Sequence, residues 1–329
     1  MFVLGLQGSP RTKGNSAMLL TAFLTEAEQL GALTQLVNVA KKKITPCQEC
    51  GTCEKEGCCP INDDMQQLYP LLRQADIIAM ATPIFFYGPT AQMKAVIDRS
   101  QALWSRKYVL GLSDPGRKWR RGCLLEVGAT KGKNLFDGTN LTAKYFYDAV
   151  GAGFEGSLEY RRIENPGDIK THPTALKDAK EKARSLIAPS LNRKKILFLC
   201  KENACRSQMA SAFAQLYAGD RVESLSAGTT PAKDVHPLML TVMSEKGVDM
   251  GFRRPLSVAE IPIKGKPDLV ISMGCEDAAS LFPGVPVEAW DLEDPAHKSI
   301  SFMHEIRDAI ERKKSPRPSF PRKRESRTG

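Results

Sequence analysis

Cys200 and Arg206 bracket the five residues Lys201, Glu202, Asn203, Ala204 and Cys205, directly after the apolar run Ile196-Leu197-Phe198-Leu199. A short buried strand would deliver the cysteine into a tight loop, and Ser207-Gln208-Met209-Ala210 would open a helix behind it. The peptide N–H groups of such a loop can curl around a tetrahedral anion, and the helix N-terminus adds positive potential. Arg206 can hold two oxygens of that anion in a fork. The same field favours a thiolate on Cys200, the nucleophilic form of the thiol, and the Ser207 hydroxyl can donate to it. Asn203, in mid-loop, tolerates left-handed backbone geometry. Farther on, Trp290-Asp291-Leu292-Glu293-Asp294-Pro295 follows a strand-like run, and an acid before proline can be held rigidly over the anion as a general acid. The chemistry expected is nucleophilic displacement at an oxyanion centre.

The first half carries a different set of chemistry-bearing residues. Gly8 to Ser16 follows the first strand-like run and precedes a helix-like one; its hydroxyls, free amides and helix N-terminus make a phosphate cradle. Thr82-Pro83-Ile84-Phe85-Phe86-Tyr87-Gly88-Pro89 offers aromatic and apolar surface to a flat ring, and Gly128 to Gly132 is a further strand-end loop. Three such loops at one sheet edge would hold a mononucleotide with an aromatic ring. Cys47, Cys50 and Cys53 stand at two-residue intervals, followed by Cys58 and Cys59. That spacing suits a [4Fe–4S] centre better than zinc, which favours separated pairs; zinc and bare thiols stay open. Cys123, inside an apolar strand, reads as structural.

The elements that must position these residues alternate. Strands are expected at 2–6, 34–39, 76–81, 122–127 and 156–162, with helices at 16–30, 65–73, 90–103, 141–150 and 173–187. The pattern breaks at 188–193, which reads as a linker, and restarts with strands at 196–199, 222–226, 269–273 and 287–290 and helices at 207–218, 237–246 and 300–313. The expected fold class is α/β, two doubly wound parallel-sheet domains over residues 1–187 and 194–313. Ligands on such sheets bind at the carboxyl ends of the strands.

Composition sets the outer bounds. The chain has 329 residues, 42% hydrophobic and 26% charged, in the range of water-soluble globular domains. No apolar stretch approaches the roughly 20 residues that span a bilayer, and nothing at the start reads as a signal peptide, so no membrane role and a cytoplasmic address are expected. Nine cysteines, five of them between 47 and 59, do not make a secreted disulfide framework. The net charge of +10 owes half its excess to residues 314–329, which hold six Lys or Arg and one Glu, so its distribution argues against a nucleic-acid role. With few apolar residues, that basic tail reads as disordered.

Two resemblances follow from these motifs. Residues 194 to 312, on Phe198 to Ala210, Ser226-Ala227-Gly228-Thr229, Asp268 to Cys275 and Trp290 to Pro295, resemble the low-molecular-weight tyrosine phosphatase superfamily and, within it, the arsenate reductases of that fold. The resemblance implies Cys200 as nucleophile, Arg206 as anion ligand and Asp294 as acid. Cys275 falls where thioredoxin-linked members keep a second thiol; where they keep a third, before a proline, this chain has Phe282-Pro283. A Cys200–Cys275 disulfide, or attack by thioredoxin or a small thiol, would release arsenite, with Cys205 a further candidate thiol. Residues 1 to 187 resemble the flavodoxin-like NAD(P)H-dependent FMN reductases of the iron–sulfur flavoprotein branch, also on Met93 to Arg99. This implies FMN phosphate on Ser9, Arg11, Asn15 and Ser16, the isoalloxazine against Pro83, Ile84, Phe85, Phe86, Tyr87 and Gly88, and a homodimer. It also implies Cys47, Cys50, Cys53 and Cys59 as cluster ligands, Cys59 lying four positions before Asp63-Asp64-Met65. Ser16 has the second reading of a helix N-cap. The expected function is a fused NAD(P)H-dependent flavin reductase and arsenate reductase, in which the flavin domain recycles the oxidised thiols. The alternatives are a tyrosine phosphatase, which has no use for Cys275, and a redox or oxyanion sensor.

Overall fold

The computed structural model describes residues 1–313; the basic tail expected to be disordered lies outside the described residues. The first domain runs β1 (Phe2–Gln7), α1 (Asn15–Gln29), β2 (Leu33–Asn38), α2 (Thr52–Glu56), α3 (Met65–Gln74), β3 (Ile77–Pro83), α4 (Ala91–Arg99), α5 (Gln101–Tyr108), β4 (Arg121–Gly128), α6 (Asp137–Ala149), β5 (Gly153–Arg161), α7 (Asp168–Thr171) and α8 (Ala175–Ile187). Its strands pair in parallel in the order β2-β1-β3-β4-β5. The order reverses between β1 and β3, the switch point at which such sheets bind ligands. β1, β3 and β4 are buried on both faces, which is why they read as unbroken apolar runs. On one face Leu19, Phe23 and Ala27 of α1 meet Ala175, Ala179 and Ala183 of α8. Alanine at every fourth position of α8 lets the two helices approach closely. The other face is covered by α3, α4, α5 and α6 through Leu68, Leu72, Val96, Leu103 and Phe146.

The single helix expected over 90–103 is two. The Ser100 hydroxyl donates back to the Val96 carbonyl at 2.9 Å, a bond that bends helices, and α5 then continues to Tyr108.

The second domain runs β6 (Lys194–Cys200), α9 (Arg206–Ala218), β7 (Val222–Gly228), α10 (Pro237–Ser244), β8 (Leu269–Met273), α11 (Ala278–Leu281), β9 (Val287–Ala289) and α12 (Ile300–Arg312). The sheet is parallel, in the order β7-β6-β8-β9, so β6 ends in Cys200 at the switch point. Alternate β6 residues face opposite cores: Ile196 and Phe198 pack with α9, α10 and α12, and Leu197 and Leu199 pack with α11 and the irregular 258–263 segment. Among the described residues no helix is long and apolar enough to cross a membrane.

The domains meet at the amino-terminal strand ends of the first sheet. Asp249 of the second domain lies between Arg73 (2.5 Å) and Arg106 (2.8 Å) of the first. Phe252 stacks on Tyr69 with ring centroids 4.8 Å apart, and the Trp119 indole donates to the Gln215 carbonyl at 2.9 Å.

One buried acid in β4 has a measurable consequence. Glu126 is fully buried; Asn140 donates to its Oε1 at 3.0 Å, and among the described residues its Oε2 has no partner. Burial, helped by Glu159 on the neighbouring strand, pushes its carboxyl up to about 9. Below the ordinary value of 4.5 both states hold the proton; above it the unfolded chain releases the proton and the folded chain keeps it, so stability falls as pH rises toward 9. The loss is about 1.4 kcal/mol per pH unit and on the order of 3 kcal/mol by neutral pH. Glu126→Gln keeps the acceptor for Asn140 and removes the titration. Urea unfolding is expected to show the variant more stable at pH 7 and equal to the parent near pH 4.5.

Candidate functional site

The Cys200 loop is built by what its carbonyls do. The carbonyls of Cys200, Lys201, Glu202 and Ala204 accept from the backbone N–H groups of Thr229, Thr230, Ala232 and His236, at 2.8 to 3.2 Å. Among the described residues, the N–H groups of Lys201, Glu202, Ala204 and Cys205 have no backbone acceptor, which leaves them as donors for an anion. The close packing that turns the loop this way requires Gly228: a Cβ there would stand 2.7 Å from the Lys201 carbonyl oxygen and 2.9 Å from the Asn203 nitrogen. Asn203 adopts φ +51°, the left-handed geometry expected of it.

Cys200 Sγ lies 2.9 Å from Ser207 Oγ and accepts from the Asn203 N–H at 3.3 Å. Asn203 Nδ2 donates to Ser207 Oγ at 2.7 Å, and Asn203 Oδ1 accepts from Gln208 Nε2 at 3.0 Å and the Leu256 N–H at 2.9 Å. A buried chain of dipoles therefore fixes the hydroxyl beside the sulfur. Gln208, Gly228 and Leu256 were not singled out as site residues. Gly228 had a signal, in Ser226-Ala227-Gly228-Thr229; Gln208 and Leu256 act through contacts that spacing does not reveal.

Arg206 is buried; its Nη1 donates to the Leu292 carbonyl at 2.9 Å and its Nη2 pairs with the Asp294 carboxylate. Asp294 Oδ1 also accepts from the Ala296 N–H at 3.1 Å, so the acid and the anion-binding arginine converge on one point. Cys275 is half-buried and close enough to feel Cys200. Burial pushes its thiol up, a Thr229 hydrogen bond pulls it down, and the charges of Cys200 and Arg206 oppose each other. Cys205 differs: burial, with the charges of Asp294 and Cys200, pushes it up to about 12, which makes it a poor second nucleophile. Phe282 packs in the core beside Cys275.

In the first domain, Ser9 and Ser16 are buried at the β1–α1 turn and Arg11 is exposed; Ser9 Oγ accepts from the Arg11 N–H at 3.1 Å. Asn15 is committed elsewhere: Nδ2 donates to the Asn165 carbonyl, and Oδ1 accepts from the Gly167 and Ile169 N–H groups. It clamps the β5–α7 connection instead of standing free for a phosphate. The N-cap of α1 is Gly14, so Ser16 does not cap the helix. Thr90 Oγ1 donates to the Gly8 carbonyl at 2.7 Å and ties the first turn to the β3–α4 loop. In that loop Pro83 and Ile84 are half-buried, while Phe85, Phe86 and Tyr87 are exposed, Phe86 and Tyr87 with φ of 48° and 60°. A Cβ on Gly132 would stand 2.8 Å from the Tyr87 hydroxyl oxygen, so the β4–α6 segment closes against the aromatic turn. The three loops expected to converge do so.

Cys47, Cys50, Cys53 and Cys59 line one open cavity of about 850 Å³, with Arg99, Lys94 and Trp104. Cys58 lines a separate cavity of about 250 Å³ beside Leu240 and Ser244 of the second domain. Among the described residues no three such side chains converge closely enough to hold a metal ion. Four thiols around one cavity form a soft donor set of the kind that holds a thiolate-ligated centre, while the neighbouring Lys94 and Arg99 are paired with Asp98 and Asp63. Cys50 Sγ lies 3.5 Å from Thr52 Oγ1, and hydrogen bonding with Thr52 holds the Cys50 thiol below its ordinary value. Cys123 is fully buried, its thiol pushed up to about 12 by burial, as a structural cysteine requires.

Comparison with known proteins matches residues 1–122 to the NADPH-dependent FMN reductase family and residues 195–316 to the low molecular weight phosphotyrosine protein phosphatase family. An iron–sulfur flavoprotein of Methanocaldococcus jannaschii is 38% identical over 103 residues, 31% of this chain and 53% of that protein, so the chain spans about half the length of this relative. An arsenate reductase of Bacillus cereus is 37% identical over 123 residues, 36% of this chain and 90% of that enzyme. A solved arsenate reductase in its phosphate-binding state is 30% identical, covering 37% of this chain and 93% of that one with a TM-score of 0.34. The chain thus belongs, through its second domain, to the arsenate reductases of the low-molecular-weight phosphatase fold, and its first domain is similar to NADPH-dependent FMN reductases and iron–sulfur flavoproteins.

Proposed function

We propose that the chain is an NAD(P)H-dependent flavin reductase joined to a thiol-dependent arsenate reductase, working in the cytoplasm, where its free thiols stay reduced. The observation that carries the reading is Cys200 Sγ held 2.9 Å from Ser207 Oγ inside a loop whose carbonyls are turned away, with Arg206 and Asp294 meeting above it. The Cys200 thiolate attacks arsenic, an S–As bond forms, and one oxygen leaves as water on a proton from Asp294. Cys275, as thiolate, then attacks the Cys200 sulfur. The disulfide forms, the S–As electron pair stays on arsenic, and arsenite leaves: two thiols are oxidised and As(V) becomes As(III).

In the first domain Ser9, Arg11 and Ser16 would hold the FMN phosphate and the Pro83 to Gly88 turn its ring, while Cys47, Cys50, Cys53 and Cys59 would hold a [4Fe–4S] cluster. These groups supply hydride and single-electron exchange when bound. The exposed Phe85, Phe86 and Tyr87 suit the homodimer expected of flavodoxin-like reductases.

The domain contact bears on how the disulfide is reduced again. It uses the amino-terminal strand ends of the first sheet, whereas FMN belongs at the carboxyl ends, roughly 20 Å away along a six-residue strand. We therefore assign recycling to a diffusible thiol, thioredoxin or a small thiol, and not to direct contact with the flavin. The test is arsenite formation by the FMN-loaded chain: turnover is expected with dithiothreitol or thioredoxin and none with NADPH alone, and NADPH-only turnover would reject this assignment.

The phosphatase reading uses the same Cys200, Arg206, Ser207 and Asp294, and the presence of Phe282 where a third thiol would stand favours it. Cys275→Ser separates the two. Arsenite formation with thioredoxin is expected to fall at least about 100-fold, while hydrolysis of p-nitrophenyl phosphate is unchanged. Equal arsenite formation in the variant would take the second-thiol role away from Cys275, and no arsenite from either protein, with phosphate ester hydrolysis intact, would leave the phosphatase reading standing.

A further inference from the structure

A third cavity, of about 130 Å³, lies where the domains meet, lined by Arg73, Asp76 and Asp114 of the first and by Arg253, Gln208 and Gln215 of the second, with Arg193 between. A water needs only about 10–15 Å³, so a small polyatomic ion fits. The carboxylates around it are all engaged. Asp76 pairs with Arg193, Asp114 with Arg73 and Arg120, Asp249 with Arg73 and Arg106, and Glu223 with the chain's amino group. Among the described residues the Arg253 guanidinium has only amide acceptors, Gln215 Oε1 at 3.2 Å and Gln208 Oε1 at 3.5 Å.

Six cationic groups (Arg73, Arg106, Arg120, Arg193, Arg253 and the amino group) and four carboxylates make up the network around this cavity, a surplus of two positive charges, and the exposed Arg254 also lines it. Uncompensated charge away from water is costly. The hydrogen bonding points the same way. Among the described residues Arg193 Nε is buried with no acceptor, whereas Arg193 Nη2 and Arg73 Nη2 sit in ion pairs with Asp76 at 2.9 Å and Asp249 at 2.5 Å. Burial above all, against the opposing pull of Asp114 and Asp249 and with Arg73 and Arg120 adding to it, brings the Arg253 guanidinium down to about 10.

We propose that this cavity is a second oxyanion site, taking a small tetrahedral anion of the phosphate class on Arg253, Arg73 and Arg193, and that the anion completes the charge balance of the domain contact. Arginine suits this because its planar donors match the edges of such an ion.

Inorganic phosphate is the probe, titrated calorimetrically into the full chain saturated with FMN, so that the flavin phosphate cradle is closed to it. Two bound phosphates are expected, one at the Cys200 loop and one at the junction. Arg253→Gln should bind one, with phosphate still protecting Cys200 from iodoacetamide. Arg206→Ala, which disables the Cys200 loop and leaves the junction intact, should also bind one, and binding none would overturn the proposal even if the Arg253 variant does not fold. The proposal is independent of the reading of Cys200: phosphate that binds but never protects Cys200 would sink that reading alone, whereas a single site lost with Arg206 would sink the junction site alone.

Discussion

Replacing Cys200 by serine is expected to abolish arsenite formation, by about 10⁴-fold or more, the scale seen when a catalytic nucleophile is removed, while NADPH oxidation by the flavin domain is unchanged. The expectation rests on what the loop can and cannot supply without sulfur. The N–H groups of Lys201, Glu202, Ala204 and Cys205 and the Arg206 guanidinium remain to bind the anion, so arsenate affinity should change little. A serine hydroxyl at that position is far less acidic than a thiol, and it cannot form a disulfide with Cys275, so both the attack and the release of arsenite are lost. The split between retained binding and lost turnover is the signature. It is read by arsenate protection against thermal unfolding alongside an arsenite assay. A Cys200→Ser protein that still makes arsenite would move the nucleophile elsewhere, and Cys205, pushed up to about 12, is poorly placed to replace it.

The parts legible in the sequence were those set by short-range rules. Buried parallel strands are short apolar runs, so β1, β3, β4, β6 and β8 were visible, and Cys-x5-Arg after one of them located the loop. The left-handed Asn203 followed from its residue type. What the sequence does not show are the long-range contacts. The resemblance implies Asn15, the first residue of α1, as a phosphate ligand, and in the structure its side-chain oxygen accepts from Gly167 and Ile169, about 150 residues away. The break at Ser100 depends on one hydroxyl turning back on the helix. The domain contact left no pattern at all: Arg73, Arg106, Asp249 and Phe252 are ordinary surface residues in any local window, and only the docking of two sheets buries them. The run at 188–193 lacks periodicity and reads as a linker, and Ala188–Ser190 there forms a single 3-10 turn.

That contact makes Asp249 the residue whose loss should cost the fold most. Asp249 is buried, receives both Arg73 and Arg106, and accepts the Gly251 N–H at 2.8 Å. Burial opposes its charge, but Arg73 and Arg106 outweigh it and hold the carboxyl at about 2, below the ordinary 3.8. Asp249→Asn removes the charge and leaves two arginines facing each other across the junction, a loss of about 3–5 kcal/mol. The pH dependence identifies the cause. Because the folded value is the lower one, the stabilisation is fully present above the unfolded value near 4 and is lost as pH falls toward 2. Urea unfolding is therefore expected to show the parent well above the variant at pH 7 and the two converging as pH drops through 4 toward 2. A gap that stays constant over that range would mean that packing of the Phe252 segment, and not the charge of Asp249, holds the domains together.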